Sequence, residues 1–220
     1  MARSESDRGE LVLRRRPGGD GPAVLELRAN GIYVMDTAEH ASEQALADAA
    51  LGTVDAPRRV LVAGLGLGFT LDRVLGDRRV EQCDVVEIEP VLVEWMRDGT
   101  IPHGPRLLAD ARVRMIVADV ATALAEAGPA SYDVVLLDVD NGPGQLVHEA
   151  NAALYDVPFL RVVHERLSEG GALVVWSAHH APDLTDTLAQ VFTEVTERAV
   201  EVRLQDRDES YWLYSAHRAG

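Results

Sequence analysis

Apolar residues in this chain follow two alternating rhythms. Short runs with no polar face, such as Arg59–Ala63, read as strands buried on both sides. Between them the apolar positions return every three or four residues, the period of a helix with one buried face. Strands are predicted at Arg59–Ala63, 83–88, Val113–Val117, Tyr132–Leu137 and 172–176. The helical pattern follows Gly68 with Leu71, Val74 and Leu75, and returns at Pro90–Arg97 and 120–127. Asp156 and Pro158 open a further helix whose Leu160, Val163 and Leu167 share a face, and Gly170-Gly171 closes it. The last helix is predicted at 183–195. Such alternation predicts a mostly parallel sheet covered on both faces. Segments 200–204 and 211–215, joined by a polar turn at 205–210, predict an antiparallel pair that closes it.

Ahead of Arg59 the pattern is different. Residues 1–10 are polar and predict a loose end. Strands are expected at 11–15, 23–27 and 32–35, with turns at Pro17-Gly18-Gly19-Asp20-Gly21 and Asn30-Gly31. This divides the chain into an N-terminal β-unit, residues 1–36, and an α/β domain, residues 37–220. So small a unit needs a surface to pack on, in the main domain or across a homodimer contact. The helix predicted at 41–51 has Ala45, Leu46, Ala49 and Ala50 as its apolar side.

Composition narrows the partners. The net charge is −15, from 36 acids against 21 cations, all of them Arg. A surface this acidic repels phosphate backbones and anionic lipid, which argues against nucleic acid and membrane as partners and leaves small neutral or cationic substrates. Without Lys there is neither a Schiff-base mechanism nor a P-loop. The single cysteine, Cys83, lies in an apolar run and reads as a buried, inert thiol. No apolar run reaches a spanning length, so a cytoplasmic protein is expected. The triplet Arg14-Arg15-Arg16 reads as a solvated or acid-paired strand end rather than an anion site.

The chemistry gathers at strand ends, where ligands of open parallel sheets bind. The first strand runs into Gly64-Leu65-Gly66-Leu67-Gly68 and a helix N-terminus, where backbone N–H groups can approach a ligand. The spacing is Gly-x-Gly-x-Gly. A dinucleotide fold would want a later Gly where Phe69 stands. The second strand ends in Glu87, placed to accept from both hydroxyls of a ribose; the third ends in Ala118-Asp119, an acid suited to an adenine amino group. The fourth ends in Asp138-Val139-Asp140-Asn141-Gly142-Pro143. Acids at three successive strand ends behind a glycine turn point to a nucleoside-type ligand. No His, Cys and Asp set has metal-ligand spacing, and no metal is expected.

The glycine segment resembles the first motif of class I S-adenosylmethionine (SAM) methyltransferases. Val85-Val86-Glu87-Ile88-Glu89, Val117-Ala118-Asp119 and Tyr132 to Asp138 extend the likeness to spermidine synthases, aminopropyltransferases built on that fold. The resemblance covers about residues 25–215. It implies a Rossmann-like class I methyltransferase fold of seven strands, with SAM or decarboxylated SAM as group donor. The donor would lie against Gly64, Leu65, Gly66, Gly68, Glu87, Ile88, Ala118, Asp119, Val120 and Asp138. Asp138, with Asp140, would take the proton of the attacking nucleophile. Asn141, Tyr155, His179 and His180 are candidates on the side of a small-molecule acceptor, an amine among the possibilities. The departures from the family are specific. Leu67 replaces an Asp that contacts the donor's amine, Thr37 to Gln44 replaces a segment with Gln and Tyr, and Ser177 to His180 replaces a Gln. An apolar Leu67 favours SAM over its decarboxylated form, hence methyl transfer. True spermidine synthesis from putrescine is the alternative, and a non-catalytic nucleoside-binding partner subunit is a reading of another class.

Overall fold

The structure is a computed structural model and describes residues 1–18, 21–204 and 207–220. Four strands come first: β1 (Ala2–Ser6), β2 (Gly9–Gly18), β3 (Gly21–Ala29) and β4 (Ile32–Asp36), an antiparallel sheet in chain order. Then follow α1 (Ala41–Thr53), β5 (Arg59–Ala63), α2 (Phe69–Leu75), β6 (Gln82–Glu87), α3 (Pro90–Arg97), α4 (Gly104–Leu108), β7 (Val113–Val117), α5 (Val120–Glu126) and β8 (Tyr132–Leu137). A 3-10 segment at Glu149–Tyr155 leads to α6 (Val157–Arg166), β9 (Leu167–Ser177), α7 (Pro182–Ala189), β10 (Thr193–Leu204) and β11 (Arg207–His217). Among the described residues the second sheet has seven strands in the order β10-β11-β9-β8-β5-β6-β7. β5 to β9 run parallel, and β11 is antiparallel to both β9 and β10.

The alternation of side chains along the central strands builds a core on each face. Val60, Val62, Val134 and Leu136 pack on one side with Leu46, Leu71 and Met96, while Leu61, Ala63, Val135 and Leu137 meet Leu124, Leu160 and Leu188 on the other. Leu11, Leu13, Leu25, Leu27 and Met35 of the first sheet belong to the former cluster. The small sheet therefore shares the core of the large one, which supplies the apolar surface it lacks alone.

Four expectations are corrected. Residues 1–10 are not loose, because Ala2 to Ser6 pair in register with Leu13 to Gly9. Polar residues suffice on such an outer strand, where backbone hydrogen bonds hold it. The helix opened by Asp156 ends at Arg166, and Leu167 pairs with Tyr132. Gly170, at φ 72°, lies inside β9 at a register shift rather than capping a helix. The last helix stops at Ala189, and Thr193 onward extends β10, well ahead of the strand start expected at 200. The buried face of α1 is Ser42, Glu43, Leu46, Ala47, Ala50 and Leu51, rotated from the face predicted. Of the predicted turns at 17–21 and 205–210, residues 19–20 and 205–206 lie outside the described residues.

Two of the three arginines of the triplet are acid-paired. Arg14 and Arg16 reach Glu26, and Arg16 also reaches Asp36, both acids being buried. Cys83 is fully buried, and burial pushes its thiol up to about 12. No helix among the described residues is long and apolar enough to cross a membrane.

Candidate functional site

Parallel strands with their C-terminal ends side by side leave one edge of the sheet open. Along that edge stand Asp119 after β7, Glu87 ending β6, the glycine turn after β5, Asp138 after β8 and Trp176 near the end of β9. A cavity of about 180 Å³ lies there, lined by all of these through Gly64 and Gly66 of the turn. Leu11, Leu27, Ala29, Val34 and Met35 of the first sheet roof it.

The glycine turn is required by the protein itself. Gly64, Gly66 and Gly68 have φ of 96°, 50° and 85°, the left-handed region glycine tolerates. A Cβ on Gly64 would strike the Asp138 carbonyl, and one on Gly66 the Met35 sulfur. Gly68 does not line the cavity, and a Cβ there would strike Met96 and Leu107. The glycines thus bring β8 and β4 close to the turn, and the cradle forms between them.

Glu87 ties this turn to β6. Its Oε2 accepts from the Leu65 N–H at 2.9 Å and its Oε1 from the Glu89 N–H at 2.8 Å. Burial raises its carboxyl above the ordinary range, opposed by these backbone donors. Glu87, Ile88, Ala118, Asp119 and Val120 all line the cavity. Leu65 does not, but its N–H holds Glu87. Asp119 caps α5, its Oδ1 accepting from Ala121 N–H at 2.8 Å and Thr122 N–H at 3.3 Å, which leaves Oδ2 unengaged by these bonds. Carboxylates of adjacent strands bordering a glycine cradle suit the hydroxyls and amino group of a nucleoside.

At the opposite end, Asp138 lines the cavity beside Glu43. Thr70 Oγ1 donates to Asp138 Oδ2 at 2.7 Å. Burial pushes the Asp138 carboxyl up to about 6, and the Thr70 hydrogen bond only partly opposes it. Glu43 is pushed up to about 7, first by burial and then by the charge of Asp138. No ion pair among the described residues involves Asp138 or Glu43. The cavity's arginine, Arg8, lies beside Glu89, with Nε 3.2 Å from its Oε1, and so at the Glu87 end.

Asp140 also lines the cavity, but its carboxylate is occupied. It accepts from the N–H groups of Asn141, Val147 and His148 and from Asn151 Nδ2, at φ 60°. Those bonds hold the loop after β8 and take up both carboxylate oxygens, whereas the partner of the Asp138 carboxylate is Thr70. Asn141, Tyr155, His179 and His180 are not brought to the cavity. Asn141 is buried and its carbonyl accepts from Ala178 N–H; the Tyr155 hydroxyl donates to the Val139 carbonyl at 3.0 Å. His179 and His180 are exposed, the latter 3.2 Å from Glu197 and against Trp212. β9 runs on to Ser177, which carries both histidines past the rim. Glu43, Trp176, Met35 and Arg8 were not singled out by sequence; Glu43 lies on the buried face of α1, which the apolar pattern of that helix did not indicate. No group of three His, Cys, Asp or Glu among the described residues is arranged to hold a metal.

The spermine/spermidine synthase domain model matches residues 39–202. Polyamine aminopropyltransferase 2 of Pseudomonas aeruginosa is 35% identical over 152 residues, covering 64% of this chain and 41% of that protein. Putrescine N-methyltransferase 3 of Nicotiana tabacum is 31% identical over 125 residues, covering 56% of this chain and 31% of that protein. The chain therefore spans less than half the length of either relative. A solved spermidine synthase in complex with the transition-state analogue AdoDATO superposes with a TM-score of 0.83 at 18% identity, covering 100% of this chain and 73% of that one. At that identity the superposition shows the fold alone.

Proposed function

Because the chain belongs to the spermine/spermidine synthase family, we propose that it transfers an aminopropyl group from decarboxylated SAM to a small amine. The observation that carries this reading is the charge at the Asp138 end of the cavity, where two carboxyls stand and, among the described residues, neither makes an ion pair. The donor's propyl chain ends in an ammonium, which gains from such surroundings. The same chain in SAM carries a carboxylate, which would meet two acids of its own sign.

The chemistry asks little of the protein beyond placement. The acceptor arrives as an ammonium and must lose a proton before its nitrogen can attack. Asp138, poised near neutrality, takes that proton. The nitrogen lone pair then forms a bond to the propyl carbon as the carbon–sulfur bond breaks. Both electrons of that bond pass to sulfur, whose positive charge vanishes, and methylthioadenosine leaves. Holding nitrogen and carbon about 3 Å apart and in line supplies most of the acceleration. Glu87 and Asp119 hold the nucleoside so that the sulfonium falls between the glycine turn and Asp138.

Methyl transfer from SAM is the second reading, and Leu67 favours it. That residue is fully buried and places no acid beside the donor. Product analysis by mass spectrometry, with putrescine and each donor in turn, separates the two. We expect an aminopropyl gain and methylthioadenosine. A methyl gain with S-adenosylhomocysteine would establish the second reading, and nucleoside binding with no product would leave a binding protein.

A further inference from the structure

The indole of Trp176 is a hydrogen-bond donor that the fold leaves unanswered. The side chain is 7% exposed, borders the strand-edge cavity, and has no partner for its buried Nε1 among the described residues. A buried indole N–H ordinarily finds an acceptor, and leaving one out is costly. Packing holds the ring: it lies 4.9 Å from that of Tyr211, and Trp176 pairs with Leu213 across β9 and β11. Acceptors are at hand in the same cavity, yet none accepts from it. The carboxyls of Glu43 and Asp138 both line that space, and each accepts instead from a hydroxyl, of Ser42 and of Thr70, at 2.7 Å.

The place of the indole says what can meet it. Leu137 pairs with Val175, so Asp138 and Trp176 are the next residues along neighbouring parallel strands, which run about 5 Å apart. A small acceptor whose nitrogen faces Asp138 therefore brings its other atoms within reach of Trp176. Neither nitrogen of a plain diamine can answer an N–H donor. An ammonium has no lone pair, and the attacking amine spends its lone pair on the new bond to carbon. A hydroxyl or carbonyl oxygen can answer it. Resting on the transferase reading above, we propose that Trp176 is a specificity-determining residue and that the acceptor is an amine carrying an oxygen, which accepts from the indole N–H. The oxygen has a rival source, the carboxylate of a SAM-type donor, and the test tells the two apart.

Nitrogen-15 labelling of tryptophan gives three indole signals, from Trp95, Trp176 and Trp212. Trp176→Phe identifies the one in question, or Trp95→Phe and Trp212→Phe identify it by elimination. With methylthioadenosine bound, the wild-type Trp176 signal should move downfield on adding 1,4-diaminobutan-2-ol or 4-aminobutan-1-ol, because the N–H gains an acceptor. Putrescine should not move it downfield. Equal displacement by all three amines, or by none, overturns the proposal. A downfield move with S-adenosylhomocysteine in place of methylthioadenosine, and with neither oxygen-bearing amine, also overturns it and gives the oxygen to the donor.

Turnover supplies a second arm. Trp176→Phe keeps an aromatic ring and removes the N–H. For whichever oxygen-bearing amine moves the signal, the ratio of its kcat/KM to that of putrescine should fall about fivefold or more in the variant. The hydroxyl also lowers amine basicity, but it does so for both proteins alike, so the ratio isolates the indole contact. An unchanged ratio overturns the proposal. The indole signal needs no turnover, so the two inferences fail separately. Should no product form from either donor while the indole answers an oxygen-bearing amine, the transferase reading fails and this one stands. Should putrescine give product and the indole answer neither oxygen-bearing amine, the reverse holds.

Discussion

Asp133 and Asp138 stand at opposite ends of β8, and the protein treats them in opposite ways. Asp133 Oδ1 accepts from Arg59 Nη2 and from Ser168 Oγ, both at 2.9 Å, while Oδ2 accepts from the backbone N–H groups of Arg58 and Arg59. Burial alone would raise its carboxyl, but these donors outweigh burial and hold it below the ordinary range. At the start of β6, on the same edge, the Asp84 carboxylate accepts hydrogen bonds from Arg114, Tyr132 and Gln82. Asp138 has Thr70 alone and is pushed up to about 6. One edge of the sheet is finished by the protein's own partners; on the other, Asp138 and Glu43 stand without an ion pair among the described residues. Unpaired buried acids on one edge, set against paired ones on the other, separate binding groups from scaffold better than burial does.

The sharpest way to break this contrast is to neutralise each acid. Asp138→Asn keeps the shape and a Thr70 partner but removes the proton acceptor. Turnover should fall by about 10²- to 10⁴-fold, with methylthioadenosine affinity within threefold and no loss of stability. Retained turnover would move the base elsewhere. Asp133→Ala should do the reverse, lowering stability by about 2–3 kcal/mol in urea denaturation with kcat unchanged. Most of that loss comes from the orphaned backbone N–H groups, since the half-exposed Arg59 guanidinium can be rehydrated. An unchanged midpoint would mean that the finished edge is not structural.

The Glu87 end lies between these extremes, because Glu87 is scaffold by its backbone bonds and, on the function proposed above, a nucleoside ligand as well. Glu87→Gln should weaken methylthioadenosine binding by about 1.5–3 kcal/mol, the scale of a charged hydrogen bond. The melting temperature should shift little, since an amide oxygen still accepts from one of the two N–H groups. Equal affinity would place the ribose elsewhere.

Much of this edge was legible in the sequence because a parallel strand has a fixed direction. Any acid directly following β6, β7 or β8 must reach the same edge, whatever the side chains do afterwards. That logic held for Glu87, Asp119 and Asp138, which all line the cavity. It gave less at Asp140, where a left-handed backbone folds the carboxylate into its own loop, and at His179 and His180, where β9 is long enough to carry them outside. Both outcomes depend on chain length and loop closure, which residue types do not encode. Glu43 was missed for a different reason. In an Ala-rich helix such as α1 a small rotation changes which residues count as the buried face, and small side chains leave that rotation to tertiary packing. The roof provided by the first sheet was equally invisible, since it depends on a shared core far apart in sequence.

The smallest expected effect is also the most direct probe of the unfinished edge, because it needs no substrate. Glu43 rises from an unfolded value of 4.5 to about 7 in the folded protein. Below the unfolded value the carboxyl is neutral in both states and costs nothing. As pH climbs through this window the unfolded chain releases its proton first, so the folded state binds more protons and stability falls. The full cost stands above about 7, when a charge is buried beside Asp138. Glu43→Gln removes that charge and should stabilise the ligand-free protein by about 1–2 kcal/mol at pH 8, with no gain at pH 4.5. Thermal melts at the two pH values measure it. A variant less stable than wild type at pH 8 would reveal a partner for Glu43 within the fold, and the edge would then be finished after all.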